Sequence, residues 1–125
     1  MWPKQMEINE LTYSIRGAVF EVYRHLGAGF LEKVYEKALL IELLAKGLHA
    51  ENQVPIEVNY KGHVVGEYFA DIVVEKKVII ELKAVDQLQK IHEAQILNYL
   101  AATDFKIGLL VNFRHPKAEI KRFIM

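Results

Sequence analysis

The chain has 125 residues, 52% of them apolar, which is enough to bury a core without staples and too little to suggest a second domain. Acids and bases balance at 16 each, so no global basic footprint announces a nucleic-acid binder. Cysteine is absent, which excludes disulfides, thiolate metal sites and cysteine nucleophiles and fits a cytoplasmic setting; no apolar run is long enough to span a bilayer, so no membrane partner is expected.

From Asn9 to Leu26 the residues Leu11, Ile15, Ala18, Val19, Val22 and Leu26 recur at helical spacing, with Asn9 as the N-cap and Gly27 as the stop. A second helix is predicted from about Phe30 to Lys46, closed by Gly47. It is apolar on most sides (Leu31, Val34, Leu39, Leu40, Ile41, Leu43, Leu44), as expected of a helix packed on more than one neighbour. Glu32 falls in its first turn and Tyr35 three residues on, hence on the same face. A carboxylate there either complements the helix dipole or serves a site, and the spacing alone leaves both readings open.

Residues Ala50 to Tyr60 alternate as a strand, with Gln53, Pro55, Glu57 and Asn59 on the wet face; Pro55 places it at a sheet edge. A turn at Tyr60-Lys61-Gly62-His63 leads into a strand from Val64 to Val74, in which Gly66 signals a bulge. The polar segment Glu75-Lys76-Lys77 then joins it to a strand from Val78 to Lys83, an antiparallel hairpin. With a three-residue connection, Val74 pairs with Val78 and Val73 with Ile79, so Asp71 lies opposite Glu81; a two-residue loop would put the two on opposite faces. Side chains alternate along a strand, so Glu81 and Lys83 share a face. Two carboxylates with Cβ atoms about 5 Å apart are unstable unless something positive lies between them. Mg²⁺, held by one or two carboxylates with water and phosphate completing its shell, fits that requirement, and Lys83 is placed to hold a water or neutralise an oxyanion. The plainer alternative is an ordinary half-exposed strand with Glu81 and Lys83 on its wet side.

After the polar stretch Asp86–Gln89, a helix is predicted from about Lys90 to Thr103. Ile91, Ala94, Leu97, Leu100 and Ala101 face the sheet, and a second stripe holds His92, Gln95 and Tyr99, either as a functional row or as a solvated face. His92 lacks a cysteine or histidine partner for zinc. Phe105 to Asn112 reads as a buried strand returning after a crossover helix, parallel to a neighbour, and Glu119 to Ile124 as a last short strand. Arg114, His115, Lys117, Lys121 and Arg122 crowd this end, as a phosphate-steering patch or as ordinary surface. The order α-α-β-β-β-α-β-β is that of an α/β protein, a mixed sheet flanked by helices.

Within Gly29-Phe30-Leu31-Glu32-Lys33-Val34-Tyr35, the positions Gly29, Glu32 and Tyr35 fit G-x-x-E-x-x-Y, which resembles the motif of the GxxExxY protein family. Asp71, Glu81-Leu82-Lys83 and Gln95-Ile96-Leu97-Asn98-Tyr99 resemble the D…E-x-K and Q-x-x-x-Y motifs of the PD-(D/E)xK nuclease superfamily, of which GxxExxY proteins are regarded as a branch. The residue before Asp71 is Ala70 rather than the proline of the superfamily name. The likeness runs from about Asn9 to Ile124.

The resemblance implies one nuclease-like domain over residues 1–125. Its restriction-endonuclease-like αβββαβ core would carry an extra N-terminal helix and a C-terminal strand. It implies that Asp71 and Glu81 ligate Mg²⁺ or Mn²⁺ with the Leu82 carbonyl, that Glu32 approaches the metal directly or through water, and that Lys83 orients the attacking water. Gln95 and Tyr99 would position phosphate or support the acidic pair, and Tyr35 would be a packing support. The expected activity is metal-dependent hydrolysis of nucleic acid, DNA rather than RNA. The alternatives are a catalytically silent module of the same fold that binds nucleic acid or a protein partner, and a homo-oligomer built through an apolar surface.

Overall fold

A computed structural model describes residues 4–125, with side chains from Glu7 onward. Helix α1 (Lys4–Leu26) and helix α2 (Glu32–Ala45) precede β1 (Ala50–Tyr60), β2 (His63–Val74) and β3 (Val78–Lys83); α3 (Lys90–Ala101), β4 (Ile107–Asn112) and β5 (Glu119–Ile124) follow. The five strands form one mixed sheet in the order β1-β2-β3-β4-β5. Only β3 and β4 run parallel, because the crossover through α3 returns the chain to the edge from which it left. This is the α/β architecture predicted, extra first helix and last strand included.

The helices divide between the two faces. Leu11, Ile15, Val19, Tyr35, Leu39 and Leu43 of α1 and α2 pack with Ile72, Val74, Val78, Ile80, Leu82, Leu109 and Val111 in the larger core. On the other side Tyr99 and Leu100 of α3 meet Ile56, Ala70, Val73 and Ile79. A Cβ at Gly108 of β4 would lie 2.8 Å from Ile96 Cδ1, so glycine there lets α3 approach the sheet closely.

Five expectations need correction. The stripe assigned to α3 is turned: Ile91, Ala94, Leu97 and Ala101 are exposed, and Leu100 faces the sheet together with Ile96 and Tyr99 instead. Helix α1 begins before Asn9, because Lys4 to Ile8 are compatible with helix; Asn9 lies inside it, where its carbonyl accepts from Thr12 Oγ1 and its side chain from Arg122. The bulge is real but sits beside Gly66: the β1–β2 register slips between Val58 and Asn59, leaving Val65 as the extra residue, and the pairing with β3 is untouched. Helix α2 is not buried all round, since Leu31, Ile41 and Leu44 are exposed. The fifth concerns Gln53. Its φ of 51° breaks the alternation of β1, so Asn52 and Gln53 both reach the same carboxylate on α2 instead of taking opposite faces.

Candidate active site

The centre of the candidate site is the point where the β2–β3 ladder stops. Val74 pairs with Val78, Val73 with Ile79 and Ile72 with Ile80, the register that a three-residue connection dictates. The next two residues, Asp71 and Glu81, replace backbone pairing with side-chain bonds. The Asp71 N–H donates to Glu81 Oε2 at 2.8 Å, and the Leu82 N–H donates to Asp71 Oδ2 at 2.8 Å. Each carboxylate is thereby anchored to the opposite strand. Ala70 and Val73 both join the core under α3 while Ile72 joins the other, so strict alternation lapses around Asp71.

Glu81 is only 4% exposed, and its carboxyl is pushed up to about 8, first by burial and then by the charge of Asp71. Asp71 is raised by burial in the first place. The Leu82 N–H pulls it back down, the charges of Glu36 and Glu32 push it up, and Lys83 draws it down. Lys83 is half-buried and lowers both members of the pair, so it shares their site. Its carbonyl accepts from the Phe113 N–H on the β4 side. A strand residue turns its N–H and C=O toward one edge, so Leu82, whose N–H faces Asp71, directs its carbonyl to that same edge.

Glu32 opens α2 and is exposed, and its charge acts on both Asp71 and Glu81. The position of that helix end is fixed by Tyr35. Its hydroxyl donates to the Gly27 carbonyl at 2.6 Å and accepts from the Phe30 N–H, and its ring stacks on Phe113 at 4.2 Å. Gly29 between them has φ 108°, a conformation that only glycine adopts without strain. Tyr35 is therefore a support, as the resemblance implied. On α3, Gln95 Nε2 donates to the Tyr99 hydroxyl at 2.9 Å. Tyr99 is raised by burial and then by the charge of Glu81. His92 does not join them, since its Nδ1 accepts from the Gln89 N–H at the helix start.

Glu36 was missed from the sequence. It lies one turn beyond Glu32, is 4% exposed, and accepts from Asn52 Nδ2 at 3.1 Å and Gln53 Nε2 at 2.9 Å, with Lys33 Nζ at 3.6 Å. The available signal was a second glutamate four residues after the first in a mostly apolar helix. The basic cluster near the C-terminal end is largely paired: Lys121 with Glu93 at 2.9 Å, Arg114 with Glu119 at 4.0 Å, and Arg122 with Asn9.

Among the described residues, no three His, Cys, Asp or Glu side chains gather into a metal-holding group. The donors at the pair are nonetheless the hard oxygens that Mg²⁺ or Mn²⁺ takes. One or two carboxylates with water and substrate phosphate suffice for such an ion. A buried Glu81 raised by the charge of a half-buried Asp71, itself raised by burial and by Glu36 and Glu32, fits a site meant to hold a cation.

A mixed five-stranded sheet flanked by helices, with an acidic pair where a central hairpin splays, is the α/β frame on which the comparisons bear. The family model of the PD-(D/E)XK nuclease superfamily matches residues 9–123, and the chain belongs to that superfamily. Among solved structures, the crystal structure of SSO0001 aligns with a TM-score of 0.58 at 22% identity, covering 74% of this chain and 48% of that one. An alkaline exonuclease (LHK-Exo) from Laribacter hongkongensis aligns with a TM-score of 0.47 at 14% identity, over 74% of this chain and 55% of that one. The chain thus spans about half the length of the structures it matches. No curated protein gives a significant sequence match. None of the helices among the described residues is long and apolar enough to cross a membrane.

Proposed function

We propose that the chain is a metal-dependent phosphodiesterase of nuclease type acting on DNA, and that it stands in the GxxExxY branch of its superfamily. The observation that carries this is the pairing of a half-buried Asp71 with a buried Glu81, cross-anchored to opposite strands with Lys83 beside them. Membership of a nuclease superfamily supports the reaction class. The Gly29, Glu32 and Tyr35 arrangement, in which the tyrosine ties down the helix end that bears the glutamate, supports the branch.

In this reading Asp71, Glu81 and the Leu82 carbonyl would hold Mg²⁺ or Mn²⁺, and Glu32 would approach it directly or through water. When bound, the ion supplies Lewis-acid polarisation of the phosphate and lowers the pKa of water. Lys83 orients the attacking water and offsets charge building on the phosphorane-like transition state. Because Gln95 donates to the Tyr99 oxygen, the phenolic proton is free to be given to a substrate phosphate oxygen. Glu36, held by Asn52 and Gln53, adds negative field at Asp71 and so strengthens its demand for a cation.

Asp71→Ala and Lys83→Ala should each abolish Mg²⁺-dependent cleavage of DNA while circular dichroism and melting remain those of the wild type. Cleavage persisting in both variants would refute the assignment. Isothermal titration with Mn²⁺ separates the enzyme from a catalytically silent module: the enzyme takes up the ion at micromolar to millimolar levels, and Asp71→Ala removes that uptake.

A further inference from the structure

Beside the acidic pair, α3 and the β1–β2 hairpin leave a cavity of about 780 Å³ between them. That lies within the range of about 300–1,000 Å³ typical of sites for nucleotide-sized ligands and is too small for a duplex. Tyr68 and Tyr99 supply its aromatic wall, their rings 5.8 Å apart and tilted by 45°. The amides of Asn59, Gln95 and Asn98 line it as well, and Ile91 closes an apolar side. Aromatic faces with amide edges around them are what an unstacked base requires: a surface to stack on, and groups able both to donate and to accept along its edge.

The cavity adjoins the candidate active site through α3. Gln95 and Tyr99 belong to both, Tyr68 precedes Asp71 by three residues on β2, and Tyr99 feels the charges of Glu81 and Asp71. A second observation points the same way. The chain carries no net charge, so it has no overall excess of the cationic groups that strengthen binding to a duplex, and a different source of grip suits it. Base stacking on aromatic rings supplies it without cationic groups.

We infer that this cavity holds an unpaired base adjoining the scissile phosphate, so that the substrate is single-stranded DNA or the frayed end of a duplex. The inference rests on the nuclease reading for its function but not for its binding chemistry. Tyr68 is the stacking platform, and Asn98 and Asn59 meet the base edge. None of the three is a catalytic residue.

Fluorescence anisotropy with a short fluorescein-labelled oligodeoxynucleotide, single-stranded or annealed to its complement, tests this with Ca²⁺ in place of Mg²⁺. The single strand should bind more tightly than the duplex. Tyr68→Ala should weaken single-strand binding about tenfold to a hundredfold, the range expected for one lost base–aromatic stack. Tyr68→Phe keeps the ring and should bind as the wild type does, and Asn98→Ala should cost a few-fold. Tyr68 is 49% exposed, so its truncation leaves the core intact, which melting curves verify.

A duplex preference, or a Tyr68→Ala variant that binds like the wild type, overturns the inference. So does a concentration-dependent dimer that Ile91→Glu disperses, since the cavity then belongs to a second copy. If the wild type cuts nothing yet Tyr68→Ala still loses single-strand binding, the base site stands and the nuclease reading falls. If the wild type cuts DNA and Tyr68→Ala binds normally, the reverse holds.

Discussion

The two faces of the sheet do different work. Under α1 and α2 the core side chains are aliphatic and aromatic, with Tyr35 stacked on Phe113 and tied by its hydroxyl to backbone. Under the single helix α3 the apolar cluster is smaller, and the remaining area carries Glu81, Lys83, Gln95 and Tyr99 beside an open cavity. The lesson is one of division: the closed face stabilises the sheet strongly enough that the open face can keep a buried carboxyl beside a second carboxylate, at a cost in stability.

Substitutions that exchange the effects on the two faces test this most directly. Leu39→Ala, at a side chain with no exposure in the larger core, should cost about 2–5 kcal/mol in chemical denaturation. Asp71→Asn should do the opposite. An amide oxygen can still accept from the Leu82 N–H, and the repulsion of Asp71 by the charges of Glu36 and Glu32 is relieved, so melting should hold or rise. Nuclease activity should nonetheless fall by at least about a hundredfold. A loss of stability at Asp71→Asn comparable to that at Leu39→Ala would mean that the open face carries the fold as well.

A smaller effect is expected from pH. The folded-state pKa of Glu81 is raised from an ordinary 4.5 to about 8, so at intermediate pH the folded chain binds a proton that the unfolded chain does not. Its contribution is present in full below about 4.5 and is lost as pH rises through about 8. Metal-free protein should therefore melt lower at pH 8 than at pH 6, by up to a few kcal/mol of stability. Added Mg²⁺ should restore more at the higher pH, because only the ionised pair takes up the cation. A melting temperature equal at the two pH values, and equally unmoved by Mg²⁺, would show the pair to be no cation site.

Gly108→Ala probes how α3 is held over that face. The new methyl would meet Ile96 Cδ1 at 2.8 Å and Cγ1 at 2.9 Å, and Ile96 is fully buried with no room to turn away. Overpacking of this kind costs about 1–3 kcal/mol. It should also shift Gln95 and Tyr99 and lower activity beyond what the change in stability explains.

How far the site was legible depended on whether periodicity reports it. The hairpin register followed from two β-branched runs only once the loop was taken as the three residues Glu75-Lys76-Lys77; the structure has that register, and the two-residue loop that would have parted Asp71 from Glu81 is not the one formed. The edge position of β1 followed from Pro55, and the parallel β4 from its uniform apolarity. Glu36 was not legible, because a glutamate on a helix usually faces water and nothing local says that two amides from β1 will enclose it. Gln53 was hidden for a related reason: a positive φ at a non-glycine residue is a tertiary outcome with no sequence signature. Both failures lie in one contact, where alternation was assumed and long-range hydrogen bonding prevailed.

That contact sets the smallest effect. Gln53→Gly relieves the left-handed backbone at φ 51°, a gain of about 1 kcal/mol, but it removes the amide that donates to Glu36 at 2.9 Å. A hydrogen bond to a charged group contributes about 1.5–3 kcal/mol, so loss should exceed relief by about 1 kcal/mol. Gln53→Asn keeps an amide and tolerates the left-handed region, yet its shorter arm forfeits reach to a carboxylate seventeen residues away on another element. The glycine variant should therefore melt slightly below the wild type and the asparagine variant close to it or between. If instead Gln53→Gly melts higher, backbone strain outweighs the buried hydrogen bond, and Glu36 is held chiefly by Asn52 and Lys33.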